Sequence, residues 1–138
     1  MILDFKEIPE AHIANGEQDT FEMFARDFFE ELGFKIVIGP DRGADGGRDL
    51  IIEEEREGIL GNSNIRWLVS CKHKVHSGKS VTDKDECDIN DRMNSNKTDG
   101  FIGFYSTLPS AALQRKVRNS IGEQVKIFDK KAKLMEQI

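Results

Sequence analysis

The chain has 138 residues, of which 38% are hydrophobic and 33% are charged, with a formal net charge of −5. This composition predicts a globular domain large enough to bury a core, and it excludes both a disordered chain and one that crosses a membrane. Two cysteines exclude a disulfide framework and a four-thiolate zinc site, and the first residues lack the basic and apolar regions of a signal peptide, so the cytoplasm is the default compartment.

The first part of the chain is predicted to form a helix and two strands. We expect residues 1–18 to be an extended lead-in and residues 19–138 to be a single domain. Asp19 and Glu22 are spaced as in a capping box, and Gly33 is suited to end the helix that follows. One face of that helix is apolar, with Phe21, Phe24, Ala25, Phe28, Phe29 and Leu32. Strands are predicted at 34–38 and 49–54, separated by a turn rich in glycine.

The second part is predicted to alternate strands and helices. After a loop at 58–64, a strand at 65–72 turns Ser70 and Lys72 to one face and Cys71 to the other. A helix at 82–94, an apolar strand at 101–106, a helix opened by Pro109 and Ser110, and a strand at 125–128 follow. A last basic helix is expected after 129. The order αβββαβαβα predicts an α/β fold with a mixed central sheet flanked by helices.

Two strands bring a carboxylate and a lysine to neighbouring positions. Asp49 begins the second strand and Lys72 ends the third. Such a pair is the minimal frame of a metal-dependent phosphodiesterase, in which the carboxylate holds Mg²⁺ and the lysine orients or deprotonates the attacking water. The alternatives are an ordinary hairpin turn at Asp49 and a solvated strand-end lysine at Lys72. The apolar residues before Lys72 favour the functional interpretation.

Several segments together resemble the Mrr-like restriction endonuclease catalytic domain, a member of the PD-(D/E)xK nuclease superfamily. They are Phe21-Glu22, Gly33-Phe34, the Asp-Gly-Gly-Arg-Asp-Leu run at 45–50, Cys71-Lys72-His73 and the strand at 101–106. The resemblance covers about residues 20 to 130. It implies a restriction-endonuclease-like αβββαβ core and a Mg²⁺-dependent or Mn²⁺-dependent endonuclease that cleaves DNA in defence against foreign DNA.

The resemblance also implies roles for individual residues. Asp49 matches the metal-binding aspartate and Lys72 the active-site lysine, while Glu22 would complete the metal shell unless it serves only as a capping-box residue. Asp45 would assist the metal or support Arg48, or it would simply form an Asx turn. The backbone carbonyl of Cys71 is a further expected metal ligand, and the Cys71 thiol is expected to pack in the core.

Ser70 departs from the family pattern, which has Glu or Gln two residues before the lysine. Serine carries no charge and reaches less far, so Mg²⁺ binding should be weaker unless Asp45 or Glu22 compensates. Alternative functions follow from this departure. The chain could be a catalytically impaired module that binds nucleic acid or a partner, or a part of a homodimer or larger defence protein that is active only when assembled.

Basic residues are concentrated in two regions, although the chain as a whole is acidic. Residues 111–133 carry a local balance of +5, and the loop after Lys72 is also basic. Such local fields can hold a polyanion, so we expect phosphate contacts that do not read the base sequence. The candidate residues for these contacts are Arg48, His73, Lys74, His76, Lys79, Arg115 and Lys116. The run Ser77-Gly78-Lys79-Ser80 lacks the first glycine of a P-loop, which disfavours an NTPase.

Overall fold

The computed structural model describes residues 20–38, 50–74, 76–121 and 125–129. Within them the chain forms three helices and five strands, in the order predicted from the sequence. These elements are α1 (Thr20–Leu32), β1 (Lys35–Ile38), β2 (Leu50–Gly58), β3 (Gly61–Lys72), α2 (Ile89–Ser95), β4 (Gly100–Tyr105), α3 (Ala111–Ile121) and β5 (Val125–Phe128). The predicted lead-in at 1–18 and the predicted helix after 129 lie outside the described residues.

The five strands form one mixed sheet in the order β1-β2-β3-β4-β5. β1, β2 and β3 are antiparallel neighbours, whereas β3, β4 and β5 run parallel. β3 is therefore the central strand, where the antiparallel and parallel halves meet. The predicted mixed α/β sheet is confirmed.

Each face of the sheet is covered by a hydrophobic cluster. On the face that we call the α1 face, the buried side chains of α1 pack against Leu50, Trp67, Val69 and Phe104. On the opposite face, which we call the crossover face, Ile51, Leu68 and Phe101 pack against residues of α2 and α3. Because successive strand residues point to opposite faces, β3 divides its side chains between the two clusters.

The β2–β3 hairpin is longer than the sequence predicts. The expected loop at 58–64 is wrong, because β3 already begins at Gly61 and only Ile59 and Leu60 remain as the turn. Cross-strand hydrogen bonds extend the polar end of the hairpin, including one from Asn62 Nδ2 to Glu55 Oε1 at 2.9 Å. Gly61 has φ +124°, a conformation that favours glycine. Ile59 and Leu60 are 103% and 102% exposed at the tip.

The helix predicted at 82–94 is much shorter, and α2 begins only at Ile89. The preceding residues form turns, because Asp85 Oδ2 accepts hydrogen bonds from the backbone and the hydroxyl of Thr82, at 2.8 and 3.0 Å. Asp88 then has φ 54°, in the left-handed region, so a helix cannot run through it. Ile89 and Met93 of α2 are buried in the cluster of the crossover face.

The last two described elements agree closely with the sequence-based prediction. Ser110 Oγ accepts a hydrogen bond of 3.1 Å from the backbone N–H of Leu113, so Ser110 is the N-cap of α3. β5 has the predicted bounds, Val125–Phe128. β5 extends the sheet beyond β4, whose six residues are all buried, as expected for a central apolar strand.

Candidate active site

The candidate site lies where β3 ends on the crossover face. Ser70 is 1% exposed and Lys72 is half-buried. In the register of β3 with β4, Ser70 is the partner of Gly103 and Lys72 that of Tyr105. The pairing continues past the strand end, because the backbone N–H of Ser106 donates to the carbonyl of Lys72 at 3.1 Å. The backbone that carries Lys72 is thus held in the interior of the sheet.

A buried glutamate reaches Ser70 from the segment between β3 and α2. The Ser70 hydroxyl donates a hydrogen bond of 2.8 Å to Oε1 of Glu86, and Glu86 is 0% exposed. Among the described residues no other acidic side chain is buried to this extent. Charged carboxylates are rarely removed from water without partners, so the surroundings of Glu86 require an explanation.

Two further donors complete the surroundings of the Glu86 carboxylate. Tyr105 Oη donates to Oε2 at 2.6 Å, and Arg92 Nη1 donates to Oε1 at 3.1 Å. Burial raises the pKa of the Tyr105 phenol well above its usual range, and the nearby Glu86 carboxylate raises it further. Tyr105 therefore remains a hydrogen-bond donor throughout the physiological pH range. Together Ser70, Tyr105 and Arg92 fix the position of one buried carboxylate.

Two lysines hold the segment around Glu86. Lys116 Nζ, from α3, donates to the carbonyls of Glu86 and Asp83, at 3.0 and 3.3 Å. Lys74 Nζ forms an ion pair with Asp85, the residue that also organises the preceding turn. Burial alone would raise the pKa of Asp85, but hydrogen bonds from Lys74 and Thr82 outweigh it and lower the pKa below its usual value. These contacts anchor the segment between β3 and α2, which we call the crossover segment, over the sheet.

Of the three acidic residues predicted for the metal site, the structure describes only Glu22. Asp45, Arg48 and Asp49 lie outside the described residues. Glu22 is half-buried in the first turn of α1. Its neighbour Phe21 stacks on His73 with a centroid distance of 4.6 Å and an interplanar angle of 7°. The start of α1 therefore packs, through Phe21, against the residue that follows Lys72.

Cys71 lies between Ser70 and Lys72 and points the other way. Its half-buried side chain packs against the cluster of the α1 face, as expected for a packed thiol. The metal-ligand role predicted for its backbone carbonyl stays a prediction.

The expected phosphate-binding residues differ in their surroundings. His76, Lys79 and Arg115 are exposed. Lys74 and Lys116 instead make the contacts with the crossover segment described above. His73 is not the surface residue that its loop position suggests, because it is half-buried and stacked on Phe21, with His76 edge-on at 5.1 Å.

The oxygen donors at this site have the chemistry that a hard divalent cation requires. Glu86 supplies a carboxylate and Ser70 a hydroxyl, on the strand face that also carries Lys72. Mg²⁺ and Mn²⁺ prefer such oxygen ligands. Within the described ranges there is no group of three or more His, Cys, Asp or Glu residues placed to hold a metal. Glu86 and Ser70 fit the cation as part of a ligand set, not as the whole of it.

Glu86 was not singled out by the sequence analysis. It stands in the charged run at 83–86, which resembles a solvated helix face when the segment is assumed to be helical. One signal could have identified it: a chain that passes from β3 to a parallel β4 must cross one face of the sheet. An acid on that crossover can therefore meet a short polar residue such as Ser70.

Comparison with known proteins agrees with this architecture. The model of a restriction endonuclease family, the Mrr catalytic domain, matches residues 13–132. This match spans most of the chain, and the chain belongs to that restriction endonuclease family.

A solved structure shares the fold. The DNA modification-dependent restriction endonuclease AspBHI superposes with a TM-score of 0.62 and 15% sequence identity, over 78% of this chain and 27% of that chain. This chain thus spans little more than a quarter of the length of that protein. A search of curated proteins gave no match. None of the helices among the described residues is long and apolar enough to cross a membrane.

Proposed function

We propose that this chain is a divalent-metal-dependent endonuclease that hydrolyses phosphodiester bonds of DNA, in defence against foreign DNA. The observation that carries the proposal is the position of Lys72, a half-buried lysine at the end of the central strand in a restriction endonuclease domain. Lysine is seldom found next to a fully buried strand residue such as Ser70, so a functional role for its ammonium accounts for its position. Mg²⁺ or Mn²⁺ is the expected cofactor.

The pairing of β2 with β3 suggests where Asp49 would contribute. Leu50 is the partner of Val69 in the antiparallel register. Asp49 directly precedes Leu50 in the sequence, so its carboxylate is proposed to act near the end of β3 that carries Ser70 and Lys72. The proposed metal ligands are Asp49, the carbonyl of Cys71 and Glu22, with Asp45 as an additional candidate.

In the proposed reaction, Lys72 orients a water molecule in line with the bond to be broken and stabilises the negative charge that develops on the phosphate. The water oxygen forms a bond to phosphorus and releases its proton to solvent, while the bond from phosphorus to the leaving sugar oxygen breaks and that oxygen takes up a proton from solvent. The divalent cation, when bound, supplies Lewis acidity at the attacked phosphate. The exposed residues His76, Lys79 and Arg115, together with Arg48, would hold the DNA backbone.

A non-cleaving binding module is the second candidate. The observation that favours it is the ion pair between Arg92 and Glu86, which already neutralises the buried acid beside Ser70. A site whose charges are satisfied within the chain can retain DNA or partner contacts without hydrolysis.

Incubation of supercoiled plasmid with Mg²⁺ or Mn²⁺ tests the proposal. We expect the wild type to nick the plasmid and Lys72→Met, which keeps the aliphatic side chain but removes the ammonium, to be inactive. Lys35→Met is the matched control, because Lys35 is exposed on the edge strand β1. Intact plasmid with every protein, combined with a salt-sensitive gel shift, would instead support the binding module.

A further inference from the structure

We propose that Glu86 supplies the carboxylate that Ser70 lacks, as a ligand of the divalent cation, and that Arg92 neutralises this carboxylate when the cation is absent. The inference rests on the proposed function, since it concerns the same site. In the family pattern, the strand residue two positions before the lysine carries this carboxylate. Here that position is Ser70, and Glu86 on the β3–β4 crossover takes over the role.

The distances make the exchange possible. A glutamate at position 70 would carry its carboxylate oxygens two covalent bonds beyond the position of the serine oxygen, a span of roughly 2.4 Å. Oε1 of Glu86 lies 2.8 Å from Ser70 Oγ. A carboxylate that enters from the crossover therefore occupies about the same region as one carried by β3. A smaller residue at position 70 is what leaves room for it.

The burial of Glu86 is difficult to explain by stability alone. A buried ion pair is often no more stabilising than apolar residues of the same volume, because both charges lose their hydration. Glu86 nevertheless lies wholly inside, on the sheet face of Lys72, with donors on both carboxylate oxygens. Ser70 and Tyr105 contribute neutral hydroxyl groups, so they orient the carboxylate and leave its negative charge in place.

Arg92 is the group that a cation would replace. Its Nη1 donates to the same oxygen, Oε1, that faces Ser70, and also to the carbonyl of Cys87 at 3.2 Å. The Arg92 side chain is 24% exposed, so part of it already reaches water. Two positive groups that share one carboxylate oxygen compete, and each weakens the binding of the other by the same factor.

Mn²⁺ binding to the full chain, measured by electron paramagnetic resonance of the free ion and by calorimetry, tests the inference without DNA. We expect Glu86→Gln to weaken Mn²⁺ binding on the order of 10- to 100-fold, and Arg92→Gln to strengthen it several-fold. Glu54→Gln is the control, because Glu54 is half-buried and hydrogen-bonded to Trp67 but lies in the distal hairpin. Circular dichroism establishes that each variant is folded.

An exchange of the two residues separates a ligand role from a structural one. We expect the double variant Ser70→Glu with Glu86→Ser to bind Mn²⁺ more tightly than Glu86→Ser alone, because the carboxylate returns from the strand. If Glu86→Gln is folded and binds Mn²⁺ as the wild type does, the inference is overturned. It is equally overturned if the wild type does not bind Mn²⁺.

The outcomes distinguish the inference from the proposed function. Mn²⁺ binding that depends on Glu86, in a wild type that leaves plasmid intact, would support the inference and contradict the nuclease. Plasmid cleavage that Lys72→Met abolishes but Glu86→Gln leaves unchanged would support the nuclease and contradict the inference.

Discussion

The ring of Tyr105 lies over Gly103, two residues earlier on the same strand. A Cβ built on Gly103 would be 2.5 Å from both Cζ and Oη of Tyr105. Real Cβ atoms do not approach other atoms this closely, so the ring and its hydrogen bond to Glu86 require a glycine at position 103. Gly103 is also the partner of Ser70 across the β3–β4 pairing. A residue without a side chain is thus part of what places the buried carboxylate.

Substitution of Gly103 by alanine should therefore destabilise the protein. We expect Gly103→Ala to lower the free energy of unfolding by about 1–3 kcal/mol, because the added methyl group displaces the Tyr105 ring in a packed core. Urea denaturation measures this loss. In a Tyr105→Ala background the same substitution should cost much less, since the ring is already absent. Equal costs in the two backgrounds would contradict the close approach.

Tyr105 should titrate only when the protein unfolds. It is the one tyrosine of the chain, so tyrosinate absorbance in the near ultraviolet reports on this residue alone. Its pKa is raised above the ordinary 10.0 by burial and by Glu86. Below pH 10.0 both the folded and the unfolded chain hold the phenolic proton, so the contribution of Tyr105 to stability is complete. At higher pH only the unfolded chain releases this proton, so the free energy of unfolding falls.

We expect this alkaline loss of stability to be smaller in Tyr105→Phe, which has no phenolic proton to release. The comparison of the two proteins removes the contribution of other groups that titrate in the same range. At neutral pH the variant should be less stable than the wild type by about 1–3 kcal/mol, because a buried carboxylate oxygen loses its donor. A phenol that titrates near its ordinary pKa while the protein remains folded would contradict the network.

Asp85 should contribute to stability at neutral pH and lose this contribution in acid. Its pKa is lowered by Lys74 and Thr82 against the opposing effect of burial. Such a carboxyl stabilises the fold above the pKa of the unfolded chain, and the contribution disappears as the pH falls through the lower folded value. We expect Asp85→Asn to be less stable than the wild type at pH 7, with a difference that narrows below about pH 4. Urea unfolding across this range measures it, with the exposed Asp27→Asn as control.

The two lysines Lys79 and Lys116 should have different roles. Lys79 is exposed in the loop after β3. We expect Lys79→Ala to weaken DNA binding about equally for all sequences and to reduce the dependence of the binding constant on salt concentration, as a log–log slope, by about 1.

Lys116 donates to the carbonyls of Glu86 and Asp83. We expect Lys116→Ala to lower stability by about 1–3 kcal/mol. Fluorescence anisotropy over a salt series and urea unfolding measure the two effects, and a loss of salt slope in Lys116→Ala without loss of stability would contradict this division.

Local patterns in the sequence were sufficient for much of the fold. The apolar stripe of α1, the apolar strand β4 and the alternating faces of β3 each depend on the spacing of neighbouring residues, and burial follows that spacing.

The parts that could not be predicted depend on contacts between distant residues. The turns before α2 arise from Lys74, Thr82 and Asp85, whose pairing is not visible in the local pattern. The position of Glu86 depends in addition on the room above Gly103 and on donors from β3, β4 and α2. No periodicity in the sequence carries that information, since each partner belongs to a different element.

The two ends of β3 offer a practical means of observing the site. The strand begins at the tip of the hairpin and ends at Lys72, so its twelve residues separate the exposed pair Ile59 and Leu60 from the buried network by roughly 35 Å. A fluorophore attached through a cysteine at position 59 or 60, in a variant whose exposed Cys87 is replaced by serine, would sit outside the packed interior. Its emission could then report the approach of labelled DNA by energy transfer, with the chemistry at the other end of the strand undisturbed.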